Sequence, residues 1–193
     1  HPDRDEQWKQ EELGRIGEER FRREYGCEFL VFDETLVNSI VLSTLEGIQP
    51  IVNMGQTRWY KKMDPQKTYV VSLDPAMGTG GDNAAIQVVE LPTFEQVAEW
   101  KHNTTAIPQQ IRILRDICTH IKEETQSTGS NIYWSVENNT IGESALLVIN
   151  DFGEENIPGM FVSEPIRKGH IRKFRKGFNT THRTKISACA RLK

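Results

Sequence analysis

Asp74 and Glu137 each close a short apolar run that reads as a buried strand, Tyr69-Val70-Val71-Ser72-Leu73-Asp74 and Ile132-Tyr133-Trp134-Ser135-Val136-Glu137. A carboxylate at the end of a core strand is costly unless it is paired or holds something, because an uncompensated buried charge is strongly disfavoured. Two such acids converging at one end of a sheet make a site for a divalent cation, and such sites support phosphodiester hydrolysis. The segment after Asp74 runs Pro75-Ala76-Met77-Gly78-Thr79-Gly80-Gly81-Asp82. Its glycines let a backbone approach a phosphate or a metal closely, and Asp82 supplies a supporting acid at the start of the next strand. No Gly-Lys-Ser/Thr occurs in the chain, so this is not a nucleotide-binding P-loop. Alone, the segment reads equally well as a hairpin whose two acids only make turn hydrogen bonds. Glu137 tips the reading toward a metal site.

Glu137 leads into Asn138-Asn139-Thr140-Ile141-Gly142-Glu143, a polar turn opening a helix. Asn139 or Thr140 is expected to cap that helix, its free N–H groups face any bound phosphate, and Glu143 complements the helix dipole. His102-Asn103-Thr104-Thr105 is a strand-to-helix turn in which Thr105 is the expected cap and His102 is read as structural. A basic tract follows, with Arg167, Lys168, His170, Arg172, Lys173, Arg175, Lys176, His182, Arg183 and Lys185. By itself it implies salt-sensitive, sequence-independent binding to a nucleic-acid backbone; Phe174 and Phe178 within it add aromatic surface.

These residues need elements to position them. Strands are expected over 68–74, 84–91 and 95–102, joined by tight connections that imply antiparallel neighbours. Ile107, Ile111, Leu114, Cys118 and Ile121 recur at helical spacing, which predicts a helix over 105–125 with Pro108 in its first turn. The Glu137 strand, a helix over 141–150, a strand near 159–163 and a helix over 183–193 follow. The order β-β-β-α-β-α-β-α describes a mixed sheet flanked by helices. A right-handed crossover then sets the Glu137 strand beside the Asp74 strand. Upstream, residues 6–25 read as a polar helix with Trp8, Leu13, Ile16 and Phe21 on one face. Strands or a short helix are expected over 29–32 and 36–45, and a connector over 50–65 with a strand around 57–61.

The chain has 193 residues, 37% hydrophobic and 26% charged. No apolar run is long enough to span a membrane, and no signal-peptide pattern is present. Cys27, Cys118 and Cys189 are widely separated, which argues against a zinc or disulfide framework and fits a reducing compartment. The net charge of −3 conceals an asymmetry: residues 167–193 hold 10 of the 24 basic residues and no acidic one. An acidic body with a basic C-terminal segment suggests a local polyanion contact.

Together these motifs resemble the large terminase subunit of tailed bacteriophages of the T-even type, over nearly the whole chain. Ser72-Leu73-Asp74 with its Gly-rich turn and Asp82 resembles that family's first nuclease motif. Val136-Glu137-Asn138-Asn139-Thr140-Ile141-Gly142 resembles its second acidic motif. His102-Asn103-Thr104-Thr105 resembles the stretch before its first helix, and His182-Arg183-Thr184-Lys185 the start of the helix before its third acidic motif. Trp8 to Phe29 and Thr35-Leu36-Val37 resemble the tail of the packaging ATPase and its link to the nuclease. The resemblance implies an RNase H-like nuclease, residues 67–193, preceded by an ATPase tail over 1–26 and a connector over 27–66. It implies a metal-dependent endonuclease that cuts concatemeric double-stranded DNA during head filling. Asp74, Glu137 and Asp82 would be the catalytic and metal-binding carboxylates, with one or two Mg²⁺ or Mn²⁺ ions. Arg167, Lys168, Arg172, Lys173, Arg175, Lys176, Arg183 and Lys185 would hold the DNA. The partners implied are the portal, the small terminase subunit and the ATPase domain of the same full-length protein, with no membrane. The implied place is the host cytoplasm, at the procapsid portal, rather than the mature virion.

The family's third acid follows the Arg-Thr-Lys segment, whereas nothing after Glu164 is acidic here. The expectation is a domain truncated at its C-terminus, lacking its last strand and helix and weakly active or inactive alone. Three rival readings use the same residues. One is another RNase H-like nuclease of resolvase or transposase type, the second a non-catalytic module that docks DNA to the portal or motor through the basic loop, and the third a plain helix-flanked sheet with buried, paired acids and no DNA affinity.

Overall fold

The computed structural model describes residues 6–17, 21, 25, 44–168 and 171–192. Cys27, His170 and the elements expected over 29–32 and in most of 36–45 lie outside the described residues. Contacts divide the chain into two units, residues 48–185 and residues 1–47 together with 186–193.

The larger unit is built on one sheet. Its strands are β1 (Val52–Met54), β2 (Thr57–Trp59), β3 (Thr68–Asp74), β4 (Ala84–Leu91), β5 (Glu95–His102), β6 (Ile132–Val136) and β7 (Met160–Phe161). They lie in the order β1-β2-β5-β4-β3-β6-β7. The neighbours from β1 to β3 are antiparallel, whereas β6 runs parallel to β3 and β7 parallel to β6. This is the mixed sheet flanked by helices that the residue pattern predicts, in the RNase H-like arrangement that the resemblance implies. The expected connector contributes β1 and β2 to its edge.

Alternation along β3 decides which face is covered. Tyr69, Val71 and Leu73 are fully buried, while Val70, Ser72 and Asp74 point the other way. In β6, Ile132, Trp134 and Val136 repeat the pattern. Helix α2 (Ile107–Glu124) and helix α3 (Thr140–Phe152) contribute Ile111, Leu114, Cys118, Ile121, Ala145 and Ile149 to the same core. The opposite face carries Val70, Ser72, Tyr133 and Ser135, which with Val162, Pro165 and Phe178 line a cavity of about 720 Å³.

The basic segment differs from its expectation. Sequence reading makes it a loop, but β8 (Glu164–Lys168) and β9 (Ile171–Arg175) form an antiparallel hairpin with Arg167 opposite Arg172. Ile166 and Ile171 favour extended backbone, and charge does not forbid it. Helix α4 (His182–Leu192) follows. Thr181 and Thr184 exchange side-chain-to-backbone bonds at its start, at 2.8 and 3.2 Å.

In the smaller unit, α1 covers Glu6–Ile16. Gly17, at φ +82°, follows it. Trp8, Phe21 and Tyr25 form an aromatic cluster with centroids 5.1–6.0 Å apart. Glu12 is buried, receiving bonds from Arg15 Nε at 2.8 Å and Tyr25 Oη at 3.2 Å.

Candidate active site

Parallel pairing places Leu73 beside Val136, so the next residues, Asp74 and Glu137, leave the sheet side by side. The N–H of Glu137 donates to the carbonyl of Leu73 at 2.8 Å, which extends the ladder to the acids themselves. Asp74, Asp82 and Glu137 line one cavity of about 310 Å³, together with Pro75, Ala76 and the first turn of α3. The three sequence-predicted acids are thus brought to one place.

The electrostatics of the pair follow from that placement. Partial burial at the strand end is the largest influence raising the Asp74 pKa, to about 6. A hydrogen bond with the Glu137 carboxyl comes next, then the charges of Glu137 and Asp82. Two close carboxylates compete for a proton because they cannot both ionise without repulsion.

Glu90 provides the contrast. This acid, 1% exposed, is met by Lys61 at 3.1 Å, Lys67 at 3.9 Å and the Thr93 hydroxyl at 3.2 Å. Among the described residues, neither Asp74, Asp82 nor Glu137 forms an ion pair with a lysine or arginine. An all-oxygen, acidic set without a basic partner suits a hard cation such as Mg²⁺, which binds through one or two carboxylates and keeps several waters. Among the described residues no group of three or more His, Cys, Asp or Glu side chains could hold a metal ion. The three acids share one cavity and have the donor chemistry for a hard cation, but they do not form a three-ligand set as they stand.

The residues expected to cap the helices with their side chains bond elsewhere. Asn139 is the N-cap residue of α3 but makes no side-chain cap; its Nδ2 donates to Glu137 Oε1 at 2.9 Å. Glu143 does sit in the first turn of α3. The N-cap residue of α2 is Ala106, not Thr105. The Thr105 hydroxyl is drawn away by the His102 ring, 2.6 Å distant. His102 is not among the residues lining the cavity of the acids.

The chain after β9 returns to the site. Phe178 pairs in parallel with Glu137, donating to Val136 O at 2.9 Å and accepting from Asn138 N at 2.7 Å. Asn138 Nδ2 donates to the carbonyl of Lys176 at 2.8 Å. Gly177, at φ +72°, permits the approach, since a Cβ there would meet the carbonyl of Val136 at 2.5 Å. The base of the basic hairpin is therefore fastened to the end of β6 and to Glu137, which follows it. Arg167, Lys168, Arg172 and Lys173 lie on that hairpin, but their side chains are outside the described residues. Arg175 ends β9, and Lys176 pairs with Glu154 at 3.0 Å. Arg183 and Lys185 are exposed in the first turn of α4. Sequence reading missed Asn139 and Gln110 as partners of the acidic segments. Gln110 carried a signal, since it stands on the apolar face of α2.

No family model and no curated protein sequence matches the chain. Among solved structures it is similar to the large terminase nuclease from thermophilic phage G20c with bound magnesium, at a TM-score of 0.50 and 13% identity. That match covers 75% of this chain and 62% of the other, so the chain spans less than two thirds of that nuclease. The same nuclease with bound zinc aligns at a TM-score of 0.43 and 14% identity, over 59% of this chain and 58% of that one. The large terminase nuclease domain of a Thermus phage aligns at 0.42 and 16%, over 63% and 54%. The likeness is one of fold.

Proposed function

We propose that this chain is the nuclease part of a viral DNA-packaging terminase, hydrolysing phosphodiester bonds of double-stranded DNA with one or two Mg²⁺ or Mn²⁺ ions. The observation that carries the reading is the Asp74–Glu137 pair at the ends of adjacent parallel strands, with Asp82 in the same cavity and, among the described residues, no ion pair to a lysine or arginine for any of them. The fold shared with the phage nuclease agrees with it.

Asp74 and Glu137 would hold the cation, with Asp82 supporting. When bound, the cation supplies an activated water and neutralises charge developing on the phosphate. Asn139 holds the Glu137 carboxyl in place through its 2.9 Å bond. The open first turn of α3 presents backbone N–H groups toward the same cavity, where a phosphate oxygen is favoured. The hairpin and the start of α4 would grip the duplex backbone through Arg175, Lys176, Arg183 and Lys185, with Arg167, Lys168, Arg172 and Lys173 further out. The portal, the small terminase subunit and an ATPase domain of the full-length protein are the partners this reading entails, in the host cytoplasm.

The test is Mn²⁺-dependent nicking of supercoiled plasmid by this chain and by its Asp74→Ala variant. Cleavage by the wild type and not by the variant supports the assignment. DNA binding by both without cleavage by either would replace it with a non-catalytic docking module.

A further inference from the structure

Helix α2 has a buried apolar face of Ile111, Leu114, Ile117, Cys118 and Ile121, and Gln110 is buried beside them, 0% exposed. A buried amide is tolerated where its hydrogen-bonding groups are satisfied, and packing alone would favour a leucine at such a position. Gln110 Nε2 donates to the carbonyl of Ala76 at 2.6 Å and to that of Thr105 at 2.7 Å. Its Oε1 accepts from the N–H of Ala76 at 3.4 Å. One side chain thus clamps both backbone groups of Ala76 to the start of α2.

Ala76 is two residues past Asp74, and Pro75 between them has its φ fixed by its ring. Beyond Ala76 the loop is intrinsically loose: Gly78 and Gly80 adopt φ +73° and +91°. Gly78 lies against the Thr105 carbonyl, and a Cβ there would also meet Ala106 N at 3.0 Å. Gly80 and Asn103 exchange bonds of 2.9 and 3.0 Å. The whole segment after Asp74 is therefore docked on residues 103–110, and Gln110 is the attachment nearest the acid.

We propose that Gln110 is a positioning residue of the carboxylate site: its buried amide fixes the turn after Asp74, and so the direction in which Asp74 presents its carboxyl to a divalent cation. The inference rests on the metal-site reading above for its purpose, though not for its geometry. A neutral amide suits the role, because it orients the acid without adding a positive charge that would compete with the cation.

The test compares the wild-type chain with Gln110→Met, which keeps the length and loses every hydrogen bond, and Gln110→Glu, which loses both donors. Amide hydrogen exchange is followed over residues 76–81 and in β4 and β5. Binding of Mn²⁺ alone is followed by paramagnetic broadening of the Asp74 and Glu137 amide signals. Exchange over 76–81 is expected to rise about tenfold with β4 and β5 unchanged, and the Mn²⁺ midpoint to rise about tenfold, the lower range for an outer partner of a metal ligand. Unchanged exchange over 76–81, a uniform rise across all elements, or an unchanged Mn²⁺ midpoint beside a lowered melting temperature would overturn the proposal. If the wild type itself shows no broadening at Asp74 or Glu137, the metal reading fails. The local exchange then decides Gln110 by itself, a selective rise supporting it and no rise overturning it. Should both variants fail to fold, Gln110→Asn, with the amide head one methylene short, is put through the same readouts.

Discussion

Asp74 and Glu137 leave two hydrogen-bonded parallel strands at one level, and neither is paired to a lysine or arginine among the described residues. The buried acid at the other end of the sheet, Glu90, is supported by two lysines. Among the described residues, Glu90 is thus paired with cations of the protein and the Asp74–Glu137 pair is not.

Replacing Asp74 by Asn keeps the shape and removes one charge. Mn²⁺ affinity is expected to fall by more than the ~10–100-fold typical of an outer-shell residue. Relief of the repulsion should leave the melting temperature of the metal-free protein equal or higher. Salt-dependent DNA binding should persist. Calorimetric metal titration, thermal melts and a mobility shift across a salt series check the three parts.

The pH dependence follows from the raised Asp74 pKa. A carboxyl that binds its proton more tightly when folded stabilises the fold below the unfolded value, near 3.8, and that stabilisation is lost as pH rises through about 6. The metal-free protein should therefore lose melting temperature between about pH 4 and 7, on the order of a few degrees. Asp74→Asn should flatten that limb, and saturating Mg²⁺ should restore stability at pH 7. Melts over a pH series with and without the ion test this.

Gly142, in the first turn of α3, stands against the carbonyl of Glu137, and a Cβ there would overlap that oxygen. Gly142→Ala should cost about 1–3 kcal/mol, the range for forced overpacking. It should also weaken metal binding, because the helix start and Glu137 move apart together. Urea unfolding and the Mn²⁺ titration read the two effects. An alanine variant as stable as wild type would show that the close approach is dispensable.

Arg183 and Lys185 are exposed at the start of α4. If each neutralises one phosphate, Arg183→Ala and Lys185→Ala should each reduce the salt dependence of DNA binding by about one unit of slope, without changing sequence preference. An unaltered slope would remove α4 from the DNA-binding surface.

Much of the larger unit was legible because its signals are local. The alternation in β3 and β6 and the spacing of Ile107, Ile111, Leu114, Cys118 and Ile121 each lie within one element, where side-chain period and burial coincide. The connection from β5 through α2 to β6 allowed one handed crossover, which brought Glu137 to Asp74. The capping side chains differ from expectation although their partners are local: Thr105 and Asn139 are suited to capping, but each bonds a near neighbour instead, His102 and Glu137. The hairpin over 164–175 was read as a loop because charge density concealed the extended preference of its isoleucines.

Hydrophobic period and the cost of burying charge made β3 to β6, α2, α3 and the two strand-tip acids readable from the residues alone. The fold alone shows which distant segments brace the acidic ones: Gln110 on the turn after Asp74 and the Phe178 segment alongside β6. Hydrogen bonds between residues far apart in the chain leave no periodic trace, so their partners are fixed by the fold that brings them within 3 Å of one another.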